Sequence, residues 1–155
     1  MAREQTGAPL AVRMAACHLA DVAELERLCF ADPWSEESLR LLLGETALGF
    51  VVTEDGRAVA YGGMLCVAGE GQITNIAVHP DCRRRGLGRA VTEALLDYAR
   101  EHDFFEVSLE VRASNEAAIA LYNRLGFSAC GTRRGFYQRP TEDALVMLWR
   151  GSANG

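Results

Sequence analysis

The spacing of apolar residues changes several times along the chain, and each change marks an element. Two short apolar runs, 47–53 and 58–67, predict strands, and Asp55-Gly56 between them is a hairpin signal. Gly69-Glu70-Gly71 turns the chain into a third strand ending on Ile76-Ala77-Val78. His79-Pro80-Asp81 stops it, because Pro80 has no N–H to donate and biases His79 away from helix. Beyond a basic, glycine-containing loop, Leu87, Val91, Ala94, Leu95 and Tyr98 follow the three-and-four spacing of one helix face, which predicts a helix over 87–102. The pattern then alternates: Val107, Leu109 and Val111 share one face of a strand over 106–112, with Glu106, Ser108, Glu110 and Arg112 on the other.

Ala118, Leu121, Tyr122 and Leu125 line one side of a further helix, and Gly126 supplies the left-handed position after it. The segments 127–132 and 144–149 read as closing strands, and 10–14 as an opening one. Asp21, with Glu24 three residues on, reads as the capping box of a helix carrying Val22, Leu25, Leu28 and Cys29. After Asp32-Pro33-Trp34, Ser35 caps a second helix whose Glu36 and Glu37 complement its dipole; Trp34 is placed to staple onto Leu39, and Gly44 ends it. Hairpins dominate the start, whereas helices separate strands in the middle. The expected fold is α/β (α+β): a mixed, mostly antiparallel sheet with a parallel pair at its centre, bracketing the 87–102 helix. One domain over 10–150 is expected, with tails at 1–9 and 151–155.

The polar face of 106–112 changes the picture. A central strand covered by helices on both sides should be apolar on both faces. This strand keeps one polar face, which must meet water, a cleft or a ligand; an edge strand with a solvated side is the alternative.

Composition narrows the class. At 155 residues, with 49% hydrophobic and 24% charged residues, the chain suits one globular domain. No apolar run approaches the roughly 20 residues of a membrane span, and the N-terminal stretch has no hydrophobic signal core, so a cytoplasmic protein is expected. A net charge of −5 argues against general nucleic-acid binding. Yet Arg83, Arg84, Arg85 and Arg89 concentrate positive charge, a patch suited to a small anion. The five cysteines are odd in number and widely spaced, without a metal-like cluster, and read as reduced thiols. Cys82, beside three arginines, is a conceivable nucleophile without an evident His or Asp partner.

A strand, a loop with Gly86 and Gly88, and a helix in that order can hold a pyrophosphate. The first N–H groups of a helix have no intrahelical partner and carry the positive end of its dipole. The Walker loop fits poorly, since Arg89-Ala90 stands where Lys-Ser/Thr is needed. The dinucleotide fingerprint also fits poorly, with Val91 at its third small position. An arginine-rich turn on a solvated face is the plainer reading. What does fit is Arg83-x-x-Gly86-x-Gly88 after Ile-Ala-Val, which resembles the acetyl-coenzyme A loop of the GCN5-related N-acetyltransferases.

Within that superfamily the chain is similar to the RimI branch, the N-terminal alanine acetyltransferases of ribosomal proteins, over about 10–150. The resemblance rests on Asp32-Pro33-Trp34-Ser35, Asn75-Ile76-Ala77-Val78, Arg84-Arg85-Gly86-Leu87-Gly88-Arg89, Leu109-Glu110-Val111-Arg112-Ala113-Ser114-Asn115 and Ala120-Leu121-Tyr122-Asn123-Arg124-Leu125-Gly126-Phe127. It implies a parallel pair that splays at an acetyl-coenzyme A cleft, flanked by about four helices. It implies Glu110 as general base and Tyr122 as general acid. It gives Ile76, Ala77, Val78, Arg84, Arg85, Gly86, Leu87, Gly88, Arg89 and Asn115 to acetyl-coenzyme A, and Trp34, Asn75 and Tyr137 to the acceptor. It implies a monomer without a metal, acting on a protein N-terminus, that of a ribosomal protein, with no nucleic-acid or membrane partner.

The residues allow plainer readings as well. Tyr122 lies on an apolar face and equally suits a core tyrosine, and Glu110 could pair with a neighbouring arginine. Two departures from the branch stand out. Gln72 occupies a position where many relatives carry glutamate, which moves the proton work onto Glu110. In Arg133-Arg134-Gly135-Phe136-Tyr137, Phe136 replaces a tyrosine and one hydroxyl is lost. Deprotonating an α-amine of pKa ~8 at pH 7 costs about 1.4 kcal/mol, against more than about 4 kcal/mol for a lysine, so a single carboxylate suits the α-amine. Transfer to a small-molecule amine and a non-catalytic acetyl-coenzyme A-binding module are the alternatives.

Overall fold

The structure is a computed structural model that describes residues 9–151. The expected tails fall mostly outside those residues, although Gly151 is held by a hydrogen bond from its N–H to Phe105 O (2.9 Å). Among the described residues, seven strands form one sheet: β1 (Val12–Arg13), β2 (Ala47–Glu54), β3 (Arg57–Val67), β4 (Glu70–Val78), β5 (Glu106–Arg112), β6 (Ser128–Tyr137) and β7 (Glu142–Arg150). Their order is β1-β2-β3-β4-β5-β7-β6, and only β4–β5 is parallel, as the alternation of hairpins and helices requires. Four α-helices within the same residues cover the sheet: α1 (Leu19–Cys29), α2 (Glu36–Leu39, continued by a 3-10 turn over Arg40–Leu43), α3 (Leu87–Glu101) and α4 (Glu116–Arg124).

The sheet separates two cores. On one face Leu95, Leu96 and Ala99 of α3 and Tyr122 of α4 bury Val107, Leu109 and Val111 of β5. On the other, Val22, Ala23 and Leu25 of α1 and Leu39 of α2 pack on Val51, Tyr61 and Ala77. The alternation of β5 therefore places Glu106, Ser108, Glu110 and Arg112 on the α1–α2 face.

Local chemistry accounts for most boundaries. Asp55 (φ 53°) and Gly56 (φ 78°) form the two-residue hairpin turn, Ser35 Oγ caps α2 by accepting Ser38 N–H (3.0 Å), and Gly126 (φ 105°) ends α4.

Three expectations change. Asp21 lies within the first turn of α1 instead of capping it; its carboxylate reaches the β2–β3 hairpin, accepting Ala58 N–H (2.9 Å) and Arg57 Nε (3.3 Å). The turn before β4 is Ala68-Gly69, both at positive φ, and Gly71 lies inside the strand, where a Cβ would come within 2.6 Å of Met64 Sδ. Strand β6 extends through Tyr137, well past the expected end, because it is an exposed edge strand with no apolar face to give it a period.

Candidate active site

The parallel pair is short. Glu70, Gly71 and Gln72 pair with Glu106, Val107 and Ser108, and beyond them β4 and β5 separate. The same point carries a bulge against β3. Gly62 pairs with Ile76 and Met64 with Ile73, so Thr74 and Asn75 together stand opposite Gly63. A Cβ on Gly63 would lie 2.7 Å from Thr74 Oγ1 and 2.8 Å from Leu42 Cδ1, so any side chain there would have to displace them. The extra residue brings Asn75 onto the α1–α2 face, where Glu26 of α1 meets it, while Ile76 packs toward α3.

One rim of the opening is the head of α3. Gly86 adopts φ +80°, ψ 14°, and the first helical bond runs from Ala90 N–H to Gly86 O (3.0 Å). The N–H groups of Leu87, Gly88 and Arg89 are therefore outside the helix's own bonding, with no side-chain cap and no acid in the first turn. That is a fitting cradle for a pyrophosphate, and a Cβ on Gly86 would meet nothing within 4 Å. The arginines divide. Arg83 donates to Val78 O (3.2 Å), Arg89 pairs with Glu93 (3.1 Å), and Arg85 is bound to Glu54, whose carboxylate raises its pKa. Arg84 sits at φ 66°. Ala77 and Leu87 bury their side chains in the two cores, so only their backbones can serve a ligand at this rim. Asn115 caps α4, its Oδ1 accepting Ala118 N–H (3.2 Å).

The other rim carries titratable groups. Glu110 lies on the α1–α2 face and meets Arg133 Nε of β6 at 3.2 Å. The arginine pairing foreseen as the plainer reading is thus present, although Arg133 is well exposed and its guanidinium also sits 5.7 Å from the Phe136 ring. Tyr137 packs under the Arg112 guanidinium (4.5 Å), and its pKa is pushed up to about 12, chiefly by burial and then by the charge of Glu110. Tyr122 is also pushed up to about 12, by burial first and then by Tyr137. Tyr122 is a core residue too, edge-on to Phe127 at 5.8 Å.

Across the opening, Trp34 and Asn75 converge on Glu26, a residue the sequence reading passed over. Glu26 is fully buried and accepts Trp34 N–H (2.9 Å), Asn75 Nδ2 (2.8 Å) and the Tyr61 hydroxyl. The signal was available: Leu19, Val22, Ala23 and Glu26 share one helical stripe, so a carboxylate occupies a core position of α1. Asp32 just before Trp34 is ion-paired with Arg139 of the β6–β7 connection, joining the two loops on this side.

Comparison with known proteins agrees with this architecture. Residues 19–127 match the model of the acetyltransferase (GNAT) family. The chain is 43% identical over 127 residues to the ribosomal protein bS18-alanine N-acetyltransferase of Escherichia coli K12, with 79% of this chain and 84% of that protein covered. A Salmonella typhimurium protein of the same description is 43% identical over 128 residues, covering 80% and 85%. The crystal structure of the ribosomal-protein-S18-alanine N-acetyltransferase from Escherichia coli superposes with a TM-score of 0.83 over 90% of this chain and 92% of that one, at 38% identity over this longer alignment. A parallel pair that opens beside an uncapped helix head, in a chain this close to such relatives, leaves one assignment: the protein belongs to the GNAT acetyltransferase family, in its RimI-like branch.

Proposed function

We propose that the protein transfers acetyl from acetyl-coenzyme A to the N-terminal α-amine of a protein, an N-terminal alanine of a ribosomal protein, by direct attack within a ternary complex. The observation that carries this reading is the separation of β4 from β5 directly after Gln72 and Ser108, with the α3 head on one rim and Glu110 on the other. The relatives at 43% identity support the choice of acceptor.

The residues divide the work as follows. The N–H groups of Leu87, Gly88 and Arg89 hold the pyrophosphate, with Arg84 adding charge, while Ile76, Ala77 and Val78 offer strand backbone and Asn115 closes the far side. Acetyl-coenzyme A, when bound, supplies an activated carbonyl and a thiolate leaving group. Glu110 takes the proton that the attacking amine loses, a step that costs about 1.4 kcal/mol at pH 7 for an amine of pKa ~8. Arg133 holds one oxygen of that carboxylate in place. Tyr122, whose pKa of about 12 keeps it protonated, donates to the departing sulfur. Against a parent thiol pKa of ~8.5, a hydrogen bond is favoured over complete proton transfer, so the phenol stabilises the thiolate as charge develops. Trp34, Asn75 and Tyr137 frame the acceptor.

The test is a panel of short peptides beginning with Ala, Ser, Gly, Met or acetyl-Ala, with spermidine and an aminoglycoside, each incubated with enzyme and acetyl-coenzyme A. Modification of free small-residue N-termini, led by alanine, is expected. Activity on spermidine without activity on peptides would favour a small-amine enzyme. Equal rates on alanine and acetyl-alanine peptides with an internal lysine would identify the ε-amine as the target.

A further inference from the structure

A fully buried carboxylate is a poor stabilising device, since taking it out of water is costly and a well-packed apolar group is often as good or better. Glu26 must therefore be understood through what it holds. Its Oε1 accepts the backbone N–H of Trp34 at 2.9 Å, and its Oε2 accepts Asn75 Nδ2 at 2.8 Å together with the Tyr61 hydroxyl. Two of these partners come from the two structures that face each other across the acceptor side: the loop before α2 and the bulge of β4. Along the chain 40 residues lie between Trp34 and Asn75, and Glu26 is the side chain that bonds to both. The carboxylate also decides which end of the Asn75 amide faces inward. With Nδ2 committed to Glu26, Oδ1 is left as the end that can accept from an incoming N–H.

We infer that Glu26 is the positioning residue of the acceptor site: one buried carboxylate sets the Trp34 loop against the β4 bulge and orients Asn75 toward the amine. The inference rests on the proposed acceptor reading for its consequence, but the positioning itself is measurable without any acceptor. Glu26→Gln replaces one acceptor oxygen by a donor, so the amide cannot satisfy Trp34 N–H and Asn75 Nδ2 together without turning Asn75 around.

The experiment compares wild type, Glu26→Gln and Tyr61→Phe. Hydrogen exchange over residues 31–38 is expected to be at least tenfold faster in Glu26→Gln. KM for an alanine peptide should rise at least tenfold, with acetyl-coenzyme A affinity within twofold of wild type. Tyr61→Phe removes a donor to the same carboxylate but spares Trp34 and Asn75; it should lower the melting temperature and leave loop exchange and peptide KM within twofold. Should Glu26→Gln fail to fold, Glu26→Asp, one methylene shorter, is read by the same measurements. Unchanged loop exchange in a folded variant overturns the positioning role, and so does faster exchange with unchanged peptide KM. Equal effects of Tyr61→Phe on KM would overturn it too, by showing that burial chemistry alone is at work. Wild-type inactivity on every peptide would sink the acceptor reading, while the exchange rates still decide whether Glu26 holds the loop.

Discussion

Replacing Gly86 separates two reasons for a glycine at the head of α3. The residue has φ +80°, a region that costs an L-residue about 1–2 kcal/mol and is least tolerated by β-branched side chains. Space is not the constraint, because a Cβ would meet nothing of the protein within 4 Å. Gly86→Val therefore has two outcomes. If the backbone keeps its conformation, stability falls by about 2 kcal/mol, which in a domain of this size is roughly 4–8 °C in melting temperature. If it relaxes to negative φ, the N–H groups of Leu87, Gly88 and Arg89 lose their common aim, and acetyl-coenzyme A binding weakens at least tenfold, about 1.4 kcal/mol. Gly86→Asn, which tolerates the left-handed region, should recover most of either loss. Gly88→Ala, whose Cβ would make an ordinary 3.6 Å contact with Val78, should leave the melting temperature within about 2 °C. Calorimetric titration with acetyl-coenzyme A and a thermal melt of each variant provide the readings. A folded Gly86→Val with wild-type melting temperature and wild-type affinity would refute both the strain and the cradle.

Glu110→Gln is expected to lower kcat by about 10²-fold with acetyl-coenzyme A affinity nearly intact, the loss shrinking as pH rises and the amine is already neutral; turnover within twofold of wild type at pH 7 would make the residue structural. Tyr122→Phe should slow turnover about tenfold or more while sparing binding, and because its ring is in the core edge-on to Phe127, retention of the ring should keep the variant folded. The alkaline limb follows from burial. Tyr122 is neutral in the native state up to about 12, against 10.0 when unfolded, so the unfolded chain sheds its proton first. Its contribution is whole below pH 10 and declines by about 1.4 kcal/mol per pH unit up to about pH 12. With Tyr61 and Tyr137 also raised, ultraviolet absorbance should show none of these three tyrosines ionised near pH 10 while the protein stays folded.

Features whose cause lies within a few residues were legible in the sequence. Asp55-Gly56, the Ser35 cap, the Leu87–Glu101 helix and the left-handed Gly126 each depend on a local φ, a local hydrogen bond or a local period. So did the polar face of β5, because alternation is a property of the strand alone, and it put Glu110 on the face turned away from α3. Where a side chain's partner lies far along the chain, local rules misassigned it. Asp21 looked like a cap but binds a hairpin 37 residues away. Arg85 sits in a basic loop, and its pairing with Glu54 of β2, 31 residues away, shows no local pattern. Glu26 drew no notice as a sequence position, and only the packing of α1 against β3 and β4 brings it Tyr61 and Asn75, which together with the Trp34 N–H make its burial tolerable. The sequence by itself determined the elements, their order and the loop chemistry, since those follow from short-range sterics and periodicity. Only the tertiary structure decided where β4 leaves β5, how the bulge turns Asn75, and which buried carboxylate meets it, because those depend on contacts between segments that no local pattern encodes.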